Sequence, residues 1–208
     1  VQHYLTRTVY RARQVMLDRD VALKVLIPVL AADSTNAQRF LQEARMLASL
    51  EHPHVVPVYD VGVTPDGSHY FSMQLLENGD LTARLHRGLS EAELVRVLSA
   101  VADALAYAHA RGYVHRDVTP ANVLFDAEDK PRLTDFGIAR AMTATSRITA
   151  SGLSVGTSHY MSPEQARGAE VDPRSDIYSL GVLCYEALTG KPPFDGEDGF
   201  AVAYSHVH

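Results

Sequence analysis

The sequence predicts an α+β protein of two lobes: a small strand-rich lobe with one helix over 1–75, and a larger, mainly helical lobe over 76–208. Three observations carry this. Strand-like apolar runs crowd into the first third of the chain. The helical period takes over after Leu75. Between the two, Leu75-Leu76-Glu77-Asn78-Gly79-Asp80 has the composition of a connector. At 208 residues the chain is long enough to bury a sizeable core, as one large domain or as two lobes sharing a cleft.

Val21-Ala22-Leu23-Lys24-Val25-Leu26-Ile27 reads as a strand stopped by Pro28, with Ala22, Lys24 and Leu26 on one face. Ser34 to Leu50 reads as a helix capped by Ser34 or Thr35 and closed by His52-Pro53. Its apolar stripe is Phe40, Ala44, Leu47 and Leu50. Val55 to Val61 and His69 to Leu75 form a hairpin pattern across Thr64-Pro65-Asp66-Gly67. Ser90-Glu91-Ala92-Glu93 is a capping box. It opens a long helix with Leu94, Val97, Leu98, Val101 and Leu105 on one face, stopping near Gly112. Short strands at Val123-Leu124-Phe125 and Arg132-Leu133-Thr134 flank a turn at Asp126 to Asp129. Met142 to Thr157 has no period and reads as a long mobile loop, a kind that is usually functional. Asp176 to Leu188 reads as a buried helix ended by Gly190, and Phe200 to His208 as the start of another.

Hydrophobic content of 46% and charged content of 21% are those of an ordinary globular protein. A net charge of −6 argues against nucleic acid as the main partner. The one cysteine, Cys184, sits in the apolar run Gly181 to Tyr185. It excludes a disulfide framework and reads as a buried, inert thiol in a reducing, cytoplasmic setting. No apolar run approaches the roughly 18 residues a membrane span needs; the longest, Val21 to Ala32, is broken by Lys24 and Pro28. Only three of the 19 basic residues are lysines, Lys24, Lys130 and Lys191. That scarcity makes Lys24, inside an apolar strand, hard to read as a chance surface charge.

His115-Arg116-Asp117, Asn122 and Asp135-Phe136-Gly137 place two acids and an amide at intervals of 5 and 13 residues, each at a loop or strand end. Magnesium-assisted phosphoryl transfer needs such a set: one carboxylate to orient a hydroxyl, and an amide and a second carboxylate to hold the metal through oxygen. Glu43 follows Lys24 by 19 residues, on the apolar side of its helix. Taken singly, each has a bland reading. Lys24 would snorkel from an edge strand, Glu43 would be a solvated helix charge, and the loop Asp and Asn would hold backbone. In this order they read together.

The series Val21-Ala22-Leu23-Lys24, Glu43, His115-Arg116-Asp117, Asn122, Asp135-Phe136-Gly137, Ser162-Pro163-Glu164 and Asp176 resembles the motif set of the eukaryotic-like protein kinases, most closely the Hanks-type Ser/Thr kinases of bacteria. The resemblance runs from Val9 to His208. It implies a bilobal protein-kinase-like fold. It implies ATP and Mg²⁺ (or Mn²⁺) as cofactors, and transfer of the γ-phosphate to Ser or Thr of protein substrates. On it, Asp117 is the catalytic base and Lys24 with Glu43 the phosphate clamp. Asn122 and Asp135 are the metal ligands. Val9, Ala22 and Leu124 sandwich the purine; Met73 is the gatekeeper, and Gln74-Leu75-Leu76 the hinge. Phe136 and His115, with Leu47 and Val58, match the regulatory hydrophobic stack. Gly156 to Glu164 is similar to the substrate-docking segment, with Thr157 in it. Thr149 and Ser151 align with activation-loop sites of autophosphorylation, which implies self-association. A phosphate there would meet Arg116.

The chain departs from the pattern in two places. The three positions of the glycine-rich phosphate loop fall on Gln2, Tyr4 and Arg7, where glycine would let backbone N–H groups approach phosphate. Thr119 stands where a lysine usually contacts the γ-phosphate. These keep open a second reading, a pseudokinase or ATP-binding scaffold. A third, small-molecule phosphotransferase, is opposed by Ser162-Pro163-Glu164. The sequence reads as a partial kinase domain, truncated at both ends and ending in the helix after that of Asp176. The full-length protein would then be free to carry a membrane anchor. Glu164 is expected to be a buried acid lacking its partner, at about 3–5 kcal/mol.

Overall fold

The computed structural model of the chain describes residues 2–4, 7–26, 34–136 and 158–208. Gly137, Thr149, Ser151, Thr157 and the expected Met142–Thr157 loop lie outside the described residues. The first lobe is an antiparallel sheet of β1 (Gln2–Tyr4), β2 (Arg7–Gln14), β3 (Arg19–Leu26), β4 (Val58–Val63) and β5 (His69–Gln74), in the order β1-β2-β3-β5-β4. One helix, α1 (Ser34–Ser49), packs on β4 and β5. Its stripe of Phe40, Ala44, Leu47 and Leu50 is buried, and the Phe40 and Phe71 rings meet at 5.1 Å. Burying each such side chain contributes about 1.5–3 kcal/mol, so the stripe sets the rotation of α1.

β1 and β2 pair in register, Gln2 with Val9 and Tyr4 with Arg7. Gln2, Tyr4 and Arg7 therefore form a hairpin without glycine, because paired strands need only extended backbone that any residue adopts. The β4–β5 hairpin closes through Gly67, at φ 85°, whose N–H donates to the Thr64 carbonyl at 2.9 Å. The strand expected from Val55 begins only at Val58. Residues before it are taken by the other lobe. Val56 N–H donates to Leu133 O at 3.0 Å, and Leu133 N–H to His54 O at 2.8 Å.

The second lobe holds α2 (Leu81–Arg87), α3 (Glu91–His109), α4 (Pro163–Ala166), α5 (Pro173–Thr189) and α6 (Gly199–Ser205), with the ribbon β6 (Val123–Phe125) and β7 (Pro131–Leu133). The α+β, two-lobed architecture read from the sequence is the one observed. Asp80 caps α2, a helix not anticipated, by accepting from Ala83 N–H at 2.9 Å. The Ser90 capping box forms in both directions: Ser90 N–H donates to Glu93 Oε2 at 2.9 Å, and Glu93 N–H to Ser90 Oγ at 3.3 Å. Leu94, Val97, Val101 and Leu105 are buried as the period implies. Gly190 ends α5 in the left-handed region, at φ 79°.

Four expectations need correction. β7 ends at Leu133, one residue short: the Thr134 N–H still donates to Asn122 O at 3.0 Å, but the Asn122 N–H goes to Thr119 O at 3.1 Å and returns no ladder bond. α5 is not buried all round. Its Ser175, Ser179, Val182 and Leu183 side faces inward, while Ile177, Tyr185 and Leu188 are 54%, 49% and 67% exposed. Cys184, between the two sides, is a half-buried thiol and not a buried one. Glu164 is also half-buried, and its carboxylate accepts from the Ser175 hydroxyl, so its charge is neither fully desolvated nor unpartnered.

Burial lowers the His206 imidazole below the ordinary histidine value, and does the same at His52 against the opposing pull of Asp103. The folded chain thus binds protons less readily than the unfolded one. Stability is complete above the unfolded pKa near about 6.5 and declines as pH falls through it. Urea unfolding free energies should therefore drop between about pH 7.5 and about pH 5, and His206→Gln should make that drop shallower.

Candidate active site

The cleft between the lobes gathers residues from widely separated stretches of chain. β3 aligns Ala22 with Met73 and Lys24 with Phe71 across the ladder to β5, and Lys24 with Val9 across the ladder to β2. This register sets Ala22 beside Met73, with Val9 diagonal to Ala22 on the neighbouring strand. Gln74 pairs with Val21, Leu76 follows on the connector, and Leu124 bridges to Asp80 from below. Val9, Gln74, Leu76 and Leu124 are half-buried.

Lys24 is 1% exposed, so its ammonium must be paired. Nζ lies 2.9 Å from Glu43 Oε1 on α1 and 2.5 Å from Asp135 Oδ1 after β7. Glu43 is 0% exposed. The pair joins the sheet, the helix and the second lobe at a single point. Asp135 has φ 57°, a left-handed conformation that costs a non-glycine residue of order 1–3 kcal/mol and tends to cluster at functional sites.

The loop before β6 is held from both sides. Asn122 Nδ2 donates to the Asp117 carbonyl at 2.8 Å and to Asp117 Oδ2 at 3.2 Å. His115 Nε2 hydrogen-bonds the Thr134 carbonyl at 3.0 Å, and its ring packs on Phe136 at 4.4 Å between centroids. Phe136 and Leu47 are buried in one core, with Val58 packed against it. Beneath, the buried Asp176 accepts backbone N–H groups from His115 and Arg116, each at 2.7 Å, and hydrogen-bonds His109 Nε2 at 2.6 Å. Arg116 has φ 67°, so the carboxylate secures a second strained residue.

Sequence reasoning missed several supports. His109 lies 67 residues from Asp176, and a lone histidine on a helix carries no signal of that contact. Gln165 Nε2 donates to the Arg116 carbonyl at 2.8 Å while its Oε1 caps α4 by accepting Ser162 N–H. Tyr160 donates to Glu186, and burial followed by that hydrogen bond pushes its phenol well up. Asp126 was legible as a turn residue but not as a brace. Burial alone would raise its carboxyl, yet N–H groups of Lys130, Arg132 and Glu128 hold it below the ordinary range and tie β6 to β7.

The arrangement provides a cation facing two carboxylates, a carboxylate steered by an amide, and oxygen donors on Asn122 and Asp135 suited to a hard divalent cation. Comparison with known proteins agrees with it. Residues 6–208 match the model of the protein kinase domain. The chain is 45% identical over 204 residues to the DNA damage-responsive serine/threonine-protein kinase RqkA of Deinococcus radiodurans, covering 96% of this chain and 30% of that protein. It is 47% identical over 205 residues to the serine/threonine-protein kinase PknL of Mycobacterium tuberculosis, covering 97% and 51%. It is 43% identical to PknB of Mycolicibacterium smegmatis, covering 96% and 33%. The chain thus spans between about a third and a half of the length of these relatives.

Asp176→Asn keeps the shape but turns one accepting oxygen into a donor facing a backbone N–H. It should lower the unfolding free energy in urea by about 1–3 kcal/mol, the cost of a buried unsatisfied donor. An unchanged midpoint, followed by circular dichroism, would show that Asp176 does not hold the loop.

Proposed function

The chain belongs to the protein kinase family, and from that premise we propose that it transfers the γ-phosphate of ATP to Ser or Thr side chains of proteins. The observation that carries this reading is the Lys24 ammonium set between Glu43 and Asp135, with Asn122 steering Asp117 alongside. Each of the named relatives is a serine/threonine-protein kinase.

In this reading Val9, Ala22 and Leu124 enclose the purine, Met73 backs it, and backbone groups from Gln74 to Leu76 meet its polar edge. Lys24 holds the phosphates, with Glu43 keeping the ammonium in place. Asn122 and Asp135 would hold Mg²⁺ or Mn²⁺, whose chemistry is to offset charge on the phosphate oxygens. Their hard oxygens fit that cation; among the described residues no group of three or more His, Cys, Asp or Glu would hold a metal alone, which suits an ion shared with phosphates. Asp117 accepts the proton of the acceptor hydroxyl. Thr157 belongs to the docking segment for the protein substrate. Autophosphorylation at Thr149 and Ser151 between two copies of the chain completes the proposal. Among the described residues no helix is long and apolar enough to cross a membrane.

Gln2, Tyr4 and Arg7 at the phosphate-loop positions favour a second reading, an ATP-binding scaffold without turnover. Transfer of labelled γ-phosphate to protein separates the two. Asp117→Asn should reduce the rate by about 10²–10⁴-fold with ATP affinity retained; undiminished transfer removes Asp117 from the role of base. Thermal stabilisation by ATP and Mg²⁺ with no transfer supports the scaffold. Phosphopeptide mapping of active protein should find phosphate on Thr149 and Ser151, and empty sites would end the autophosphorylation proposal.

A further inference from the structure

Thr119 stands two residues after Asp117 and is 7% exposed. Its backbone is extended, with φ −137° and ψ 158°, and it occupies the N-cap position of the 3-10 turn Pro120–Asn122. Threonine in that position ordinarily spends its hydroxyl on a backbone N–H of the first turn. Here it does not. Pro120 has no N–H to offer, and the Asn122 N–H goes instead to the Thr119 carbonyl at 3.1 Å. Among the described residues the Thr119 hydroxyl makes no hydrogen bond. Nor is the oxygen sealed in the core, since it is not one of the fully enclosed polar atoms left without a partner. Thr119 instead lines a recess together with Asp117, Val118, Tyr160, Met161 and Gln165. One side of that recess is the loop that carries Asp117, and the other is the start of the Ser162-Pro163-Glu164 segment.

A side chain more than nine-tenths buried, with a donor and acceptor left unspent beside the base, is disposed to meet a ligand atom. We infer that the Thr119 hydroxyl contacts the acceptor, donating a hydrogen bond to the side-chain oxygen of the substrate Ser or Thr as that oxygen is presented to Asp117. The inference rests on the kinase reading above. An acceptor oxygen has one proton and two lone pairs. The proton goes to the Asp117 carboxylate, one lone pair forms the bond to phosphorus as the bond from that phosphorus to the β–γ bridging oxygen breaks and ADP leaves with the electron pair, and the other lone pair accepts from Thr119. The oxygen is then oriented by two neighbours and not by one, which narrows its approach to the phosphorus. Thr119 also presents a short, uncharged arm, so the recess suits an aliphatic hydroxyl beside the backbone.

The test uses the full chain, ATP with Mg²⁺, and a peptide with a single Ser selected for transfer from a degenerate Ser/Thr library. Thr119→Val keeps the shape and removes the hydroxyl. It should lower kcat/KM for the peptide by about tenfold or more, with KM for ATP and the urea midpoint unchanged. Thr119→Ser restores the hydroxyl and should stay within about threefold of the unsubstituted chain. The preference in binding for the Ser peptide over its Ala counterpart should shrink in Thr119→Val, where only the contact to Asp117 is left, and persist undiminished in Thr119→Ser, which a purely structural role would not produce. Transfer by Thr119→Val at the unsubstituted rate, or an equal loss in both variants, overturns the inference and leaves the kinase reading intact. If the unsubstituted chain transfers phosphate to no peptide in the library, the kinase reading falls and the inference falls with it.

Discussion

One ammonium group holds the cleft together. Lys24 lies on the face of β3 that the two-residue period turns inward, and a buried cation there is tolerable only when it is paired. Two of its partners come from elements that otherwise have little reason to meet, Glu43 from α1 and Asp135 from the segment after β7. Losing one partner of a buried pair typically costs about 3–5 kcal/mol. That is enough to select one rotation of α1 and one conformation of Asp135. The apolar contacts agree with the choice. Phe40 on α1 meets Phe71 on β5, and Phe71 is the ladder partner of Lys24 and lies 5.4 Å below its ammonium. Packing and charge therefore specify the same placement of the helix, which is the consistency that gives a fold a single native arrangement.

The second lobe uses a carboxylate for the corresponding purpose. Asp176 takes two backbone N–H groups and one imidazole N–H, so a loop that would cost about 1–2 kcal/mol per residue to order is ordered when the protein folds. The left-handed φ of Arg116 is sustained by these contacts, and that of Asp135 by its ion pair with Lys24. Such preorganisation is what phosphoryl transfer asks of a protein, since positioning and fixed electrostatics do most of the work in that reaction. Thr119 marks where the framework leaves a polar group uncommitted.

Much of this was legible beforehand, for reasons that differ by residue. Ser90 and Glu93 lie three apart and satisfy each other within one turn, so their capping box needed no tertiary information. The stripe Phe40, Ala44, Leu47 and Leu50 followed from helical period alone. Val55 to Pro57 were misjudged because a β-competent run does not state its partner. The Val56 N–H and the neighbouring His54 carbonyl go to Leu133, more than seventy residues on, and only the Pro57 carbonyl reaches β5, at the Gln74 N–H. α5 was read as buried from composition, yet composition cannot say which side of an apolar helix is covered, and Ile177, Tyr185 and Leu188 face outward. Glu164 was expected to be an unpartnered acid; Ser175, from the first turn of α5, reaches it.

The sequence by itself determined the order and type of the longer helices and of β3, the inward face of β3 and the ordered set Lys24, Glu43, Asp117, Asn122 and Asp135, because period, capping and spacing are local properties of a chain. Only the tertiary structure decided that Lys24 meets both Glu43 and Asp135, that Asp176 holds the Asp117 loop with the help of His109, that the first hairpin pairs without glycine, and that the Thr119 hydroxyl is left over among the described residues. Each of these depends on distance between groups far apart in sequence, or on a hydrogen bond not made. Both are set by the packing of the two lobes and cannot be read from the neighbours of a residue along the chain.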